Sequence, residues 1–329
     1  MRGKICVEEH FCLPGAKEAG KNAFREDYLL HVQQRLPEYE LRLKAMDECG
    51  VEMQVLSMTE PGIQGIVDPV EALDQSRRIN DHLAEYFVQP NPKRFAGLGV
   101  VPLQNPRAAA DELERAVKQL GLKGVMINGF TNMGEDRIRY LDEGPCWEFW
   151  ERAEALGAPI FIHPRVPHPS QRRSLEGFDA LLGSPWGFGR ETAEHAIRLI
   201  LSGLFDRYPR LTIVLGHLGE GLLLAVPRME HRLRHQAPGT HGPHEHPPTH
   251  YLRNNFYFST SGILRSEALQ GAILEIGADR ILYAVDYPFE SIHESATWFD
   301  NCPMEEADRL KIGRTNAAQL LFANENDRN

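Results

Sequence analysis

Two short stretches hold groups capable of metal and proton chemistry at defined spacing. In VEEHF, residues 7–11, an apolar run closes on Glu8, Glu9 and His10. Successive strand residues point to opposite faces, so Glu8 and His10 share one face and Glu9 takes the other. In GHLGE, residues 216–220, Glu220 follows His217 by three positions, close enough for a carboxylate to orient an imidazole used in acid/base work. Two further apolar runs end in the same manner, PIFIHP on His163 and ILYAVDYP on Asp286. Glu8, His10, His163 and Asp286 form a mixed oxygen and nitrogen donor set. Such a set suits one divalent ion such as Zn²⁺ or Mn²⁺, and iron is compatible with it.

These residues act together only if the fold brings strand ends to one place. Eight short apolar runs recur along the chain, at 5–10, 51–57, 95–102, 124–129, 159–164, 211–217, 255–262 and 280–288. Their continuous hydrophobicity suits parallel strands buried on both faces. Helical patterns lie between them, among them 68–89 and 105–121, the second with Ala109, Leu113, Val117 and Leu120 at helical spacing. Eight βα units in 329 residues predict an α/β fold, a single-domain (β/α)₈ TIM barrel over residues 1–329, with a doubly wound open sheet as the alternative. In such a barrel the chemistry sits at the C-terminal strand ends, where Glu8, His10, His163, His217 and Asp286 fall.

Composition narrows the partners. A formal net charge of −10 repels nucleic acid and anionic membrane surfaces, leaving a small molecule as the expected partner. No stretch has the apolar length of a membrane helix or a signal segment, and five scattered cysteines, without CxxC spacing, suit reduced thiols, so a cytoplasmic location is expected. Residues 231–250, HRLRHQAPGTHGPHEHPPTH, hold six of the fourteen histidines in a Gly/Pro-rich insertion. Its Pro and Gly spacing offers no regular face on which the rings would converge, so it reads as a surface loop without a metal role.

The ordered set of ExH after the first run, HP after the fifth, GHLGE after the sixth and DYP after the eighth resembles the amidohydrolase superfamily, in its branch of metal-dependent non-oxidative aromatic-acid decarboxylases. Longer stretches such as 202–221, 274–290 and 308–317 carry the resemblance across nearly the whole chain, and it fails mainly at the histidine-rich segment. Binuclear hydrolases of the superfamily carry HxH and a carbamylated lysine after the fourth strand. Here the first motif is Glu8-x-His10 and the fourth run ends GVMINGF, with no lysine beyond Lys123, so one metal ion per chain is implied.

The resemblance implies decarboxylation of a hydroxybenzoate, with 2,6-dihydroxybenzoate first, 2,3-dihydroxybenzoate or salicylate next, and a mononuclear hydrolase of a lactone or amide as the rival. It gives Asp286 two roles, metal ligand and proton donor to the ring carbon, with His217 and Glu220 as a relay. An acid of that kind needs a raised pKa or a borrowed proton. It also implies Phe24 and Phe289 flanking the ring, Asn128 near the ring substituents, Arg228 at the edge of the site, and a homotetramer or homodimer.

Overall fold

The computed structural model describes residues 1–15, 24–237 and 239–326. Eight parallel strands form its centre, numbered here in barrel order. They are β1 (Lys4–Phe11), β2 (Val51–Met58), β3 (Phe95–Gly97), β4 (Val125–Asn128), β5 (Ile160–His163), β6 (Ile213–Leu215), β7 (Phe256–Ser259) and β8 (Ile281–Leu282). Parallel ladders join β1 to β2 to β3 and run from β4 through β8, and a bridge between Gly99 and Val125 connects the two sets. The ring closes where the Val7 amide donates to the Tyr283 carbonyl at 3.2 Å and the Asp286 amide to the Glu8 carbonyl at 3.0 Å. The chain therefore folds as a (β/α)₈ barrel.

Each strand sends alternate residues to two apolar layers. Ile5, Val7, Val55, Ala96, Leu98, Met126, Phe161, Val214, Leu282 and Ala284 fill the barrel interior. Their neighbours, including Cys6, Leu56, Ile127, Ile160, Ile162, Ile213, Leu215 and Tyr283, pack outward against the helices. Burial on both faces is why the strands read as unbroken apolar runs. Between strands the helices carry ordinary start signals: Asp68 accepts from the Val70 and Glu71 amides, and Asn105 from the Ala108 amide, each just before a proline at the first helical turn.

β1 departs from simple alternation. Cys6 pairs with Gln54 but Glu9 pairs with Leu56, so β1 spends one residue more than β2 between those pairs. This bulge resets the alternation. Without it Ile5, Val7 and Glu9 would share the inner face; with it Glu8 and His10 turn into the mouth, and Glu9 turns outward to Gln54, whose amide it accepts at 3.3 Å.

The histidine-rich stretch is only partly a loop. Its first residues complete the helix Leu222–Leu233 and its last open the helix Pro248–Asn254, because Pro248 stands at a first helical turn. Pro238 lies outside the described residues.

Candidate active site

At the C-terminal mouth, one ligand atom each from Glu8, His10 and His163 lies within 4.8 Å of the other two, and all three residues are buried. Asp286 stands beside them, its Oδ1 3.0 Å from His10 Nε2. That spacing matches adjacent ligands around one ion, since bonds of about 2.1 Å at right angles put donors about 3 Å apart.

The surroundings aim each donor. His163 Nδ1 donates to the Pro164 carbonyl at 2.8 Å, which leaves the Nε2 lone pair facing the mouth. Burial, then the neighbouring His10, drive the His163 pKa down to about 3, so the ring is neutral and fit to ligate. His10 Nδ1 meets Ser57 Oγ at 3.3 Å, while that hydroxyl donates to the Glu9 carbonyl, so the His10 Nε2 is again the inward nitrogen. Glu8 Oε2 accepts from Ser261 Oγ at 2.7 Å and from Ser259 Oγ, leaving Oε1 for a ligand role. Gly216 directly follows β6, and a Cβ there would collide with both carboxylate oxygens of Glu8. Ser259, Ser261 and Gly216 are site residues that the motif reading passed over. The run NFYFSTSG displayed the two serines, but neutral hydroxyls carried no chemical flag.

A second group of residues handles charge. His217 Nδ1 lies 2.6 Å from Glu220 Oε1, and its Nε2 lies 3.5 Å from Asp286 Oδ2. Burial opposes the imidazolium, yet Glu220, Glu8 and Asp286 outweigh it and hold the His217 pKa well above the ordinary value. Burial would likewise push the Asp286 carboxyl up, but hydrogen bonds from His10 and His217 hold it below the usual carboxylate range. These opposite shifts favour the proton on His217 over Asp286. The backbone here is strained. His217, Leu218, Glu220 and Asp286 all have positive φ, of 51°, 50°, 56° and 77°, and the Ser261 hydroxyl accepts from the His217 amide at 3.1 Å.

Glu9 sits behind the site. Its carboxylate accepts from the Val285 amide at 2.9 Å and the Tyr287 amide at 3.1 Å, the residues on either side of Asp286. Arg42 completes this clamp, donating to the His10 carbonyl at 2.6 Å and stacking over the Tyr287 ring at 4.5 Å.

In front of the ligands lies a cavity of about 110 Å³, lined by His163, His217 and Asp286 at its base and by Phe24, Tyr28, Phe188 and Phe289 on its walls, with Glu60 and Glu290 at polar positions. Phe289 meets His10 edge-on at 5.6 Å, whereas Phe24 is 43% exposed at the rim. Asn128 ends β4 fully buried against Gly62, with both atoms of its amide unpaired, but it does not line this cavity. Arg228 is exposed and outside the cavity. Leu222, Leu223 and Val226 take the core-facing side of its helix, and a residue two positions past Val226 points away from it.

The family model described as Amidohydrolase matches residues 27–323. This chain belongs to the amidohydrolase family. Among its relatives in that family is a gamma-resorcylate decarboxylase of Polaromonas sp. (strain JS666), 44% identical over 98% of this chain and 100% of the relative. A crystal structure of a dihydroxybenzoic acid decarboxylase from Polaromonas sp. JS666, with bound manganese and the inhibitor 2-nitroresorcinol, has a TM-score of 0.95 at 44% identity and covers 98% of both chains. A 2,6-dihydroxybenzoate decarboxylase complexed with 2,6-dihydroxybenzoate has a TM-score of 0.94 at 43% identity, covering 98% of this chain and 99% of that one. The amidohydrolase barrel thus spans nearly the whole chain. Among the described residues no helix is long and apolar enough to cross a membrane.

Proposed function

We propose that this chain is a carboxy-lyase that removes CO₂ from a hydroxybenzoate without oxidation, 2,6-dihydroxybenzoate giving resorcinol, and that it runs the reverse carboxylation at high bicarbonate. The observation that carries the reading is the half-buried chain Glu220–His217–Asp286 abutting Glu8, His10 and His163 at the base of an aromatic-walled cavity. The manganese and the ring ligands of the solved relatives support it.

The donor set fits a divalent ion: two imidazoles whose Nδ1 atoms are engaged by Ser57 and by the Pro164 carbonyl, and two carboxylates, one steered by serine hydroxyls. Glu8, His10, His163 and Asp286 would hold one ion in the mouth, Mn²⁺ or Zn²⁺. When bound, that ion would supply Lewis-acid charge stabilisation for the carboxylate and ortho hydroxyl of the substrate. Phe289 and Phe24 would bracket the ring and exclude water. The unpaired amide of Asn128 would serve the ring's outer substituents if the Gly62 turn gives way, and Arg228 has no such reach within its own chain.

Loss of CO₂ breaks the ring–carboxyl bond and leaves its electron pair on the ring, so a proton must reach the ipso carbon. His217 holds that proton, Glu220 steadies the imidazolium, and Asp286 passes the proton to the carbon from the position nearest the ligands. Each turnover consumes one proton, which His217 regains from solvent.

The test is incubation of the purified protein with 2,6-dihydroxybenzoate, 2,3-dihydroxybenzoate and salicylate, following ring absorbance and CO₂ release. Resorcinol formation from the first substrate in preference to the others is expected, and activity only on lactones or amides would overturn the reading. Asp286→Asn keeps the shape and one oxygen donor but loses the acid, so decarboxylation should fall on the order of 10²-fold or more while part of the metal is retained. In D₂O the parent should place deuterium at C2 of resorcinol and the variant should fail to exchange it. Near-normal turnover in the variant would remove Asp286 from the proton path. We further propose a cytoplasmic homotetramer or homodimer, for which light scattering that finds only monomer at working concentration is the contrary result.

A further inference from the structure

The histidine-rich segment, read from its spacing as a loop without a metal role, builds a donor cluster that spacing alone does not reveal. Asp206, Glu245 and His246 place one oxygen or nitrogen ligand atom each within 4.8 Å of the others. The residues come from separate parts of the chain, Asp206 from the short helix Leu204–Arg207 and the other two from the stretch ahead of the helix Pro248–Asn254. We propose that these three residues form a second, structural site for a borderline divalent ion such as Zn²⁺, Co²⁺ or Ni²⁺.

Several observations support a built site. The segment is held by its backbone against the rest of the fold. Asp206 Oδ2 accepts from the Glu245 amide at 3.1 Å, and the Tyr251 hydroxyl accepts from the Glu245 and His246 amides at 3.1 and 3.0 Å. Gly242 lies so close to the Leu201 carbonyl that no side chain fits there. The Tyr251 hydroxyl also donates to Asp206 Oδ1 at 2.5 Å, an outer partner of the kind that orients ligating carboxylates. More imidazoles stand next to the cluster. His250 stacks on His246 at 4.2 Å between centroids, and His244, within electrostatic reach of Asp206, stacks on His241 at 5.2 Å. Both ring nitrogens of His244 are shielded from solvent without a hydrogen-bond partner. Mixed imidazole and carboxylate donors favour Zn²⁺, Co²⁺ or Ni²⁺ over Mg²⁺ or Ca²⁺, which prefer all-oxygen sites.

The site lies on the face opposite the mouth. Asp206 falls between the helix Gly187–Leu201 and the start of β6, and Glu245 and His246 fall ahead of the start of β7, so both segments belong to the N-terminal end of the barrel, the end associated with stability rather than chemistry. An ion there would staple the stretch ahead of the helix Pro248–Asn254 to the short helix Leu204–Arg207. It would raise the melting temperature without entering the reaction.

Equilibrium dialysis of the full chain against Zn²⁺ tests this. The parent should bind one ion in the mouth and one at this site, and His163→Ala should retain the second alone. His246→Gln and Glu245→Gln alter exposed side chains outside the mouth, so decarboxylation should be unchanged. Each should weaken the second site by at least 10-fold, the scale of losing even an outer partner, and remove the zinc-dependent rise in melting temperature. A single equivalent in the parent, or a second equivalent held as tightly in both variants as in the parent, would overturn the proposal. The second result would assign the zinc to scattered surface histidines. Because the readout is stoichiometry and melting, its failure leaves the decarboxylase reading untouched, and the converse also holds.

Discussion

Gly216→Ala adds one methyl group in the mouth and little else. The Gly216 backbone, at φ −69° and ψ 173°, is open to alanine, so no conformational penalty attaches to the change. The new Cβ would lie 2.9 Å from Glu8 Oε2, nearer still to Oε1 and 3.0 Å from the carboxyl carbon, where ordinary contact begins at 3.4 Å. Glu8 must then retreat by roughly half an ångström or more in a close-packed interior. It is pinned by Ser259 and Ser261, so the retreat loosens at least one hydrogen bond to a charged group, about 1.5–3 kcal/mol. At roughly 2 °C per kcal/mol for a chain of this size, the metal-free protein should melt about 3–6 °C lower. Metal affinity should fall about 10–100-fold, the loss typical of a misdirected ligand. Gly271→Ala is the matched control. It lies in the helix Ser266–Ile276 with nothing within 4 Å of its Cβ position, and should be neutral or stabilising by about 0.5–1 kcal/mol. If Gly216→Ala melts with the parent and holds metal within twofold of it, the account of Glu8 as a ligand steered by its neighbours is wrong.

Two further outcomes are expected. Glu9→Gln offers one acceptor oxygen to the two backbone amides that flank Asp286, and one unpaired N–H should cost about 1–3 kcal/mol in denaturant unfolding; turnover should drop further than metal content, and a silent variant would refute the clamp. Burial, opposed by Arg165, pushes the Glu191 carboxyl from 4.5 up to about 8, so the native state holds its proton across that interval, and the contribution is present below pH 4.5 and lost as pH rises through 8. Glu191→Gln should therefore gain stability on the parent between pH 5 and 9, by on the order of 1.4 kcal/mol per pH unit at most, and parallel urea midpoints at the two pH values would contradict it.

The barrel was readable from sequence because its strands are buried on both faces, which leaves an apolar run with a polar residue at its close. Glu8, His10, His163, His217 and Asp286 are such closing residues, and a parallel barrel sends them all to one mouth. What the runs do not encode is contact through space. The bulge in β1 cannot be seen in VEEHF, yet it is the reason Glu8 and His10 turn inward although Ile5 and Val7 already hold that face. Arg228, which the resemblance puts at the edge of the site, stands on the solvent side of the helix Leu222–Leu233 and does not line the cavity, a placement that its sequence position alone does not reveal.

The charge state of Asp286 shows why position alone is an incomplete guide to chemistry. An apolar strand argues for a protonated acid, since burial disfavours the carboxylate. Two imidazoles within hydrogen-bond range reverse that outcome, and neither adjoins Asp286 in sequence: His10 comes from β1 and His217 from the end of β6. Glu220, 2.6 Å from the far nitrogen of the His217 ring, favours the imidazolium that faces the Asp286 carboxylate. The charge balance in this mouth is therefore a property of three residues placed by two strand ends and a strained turn. Left-handed backbone at His217, Glu220 and Asp286 accompanies this placement, so the charged groups meet where the chain leaves β6 and β8 in sparsely populated conformations.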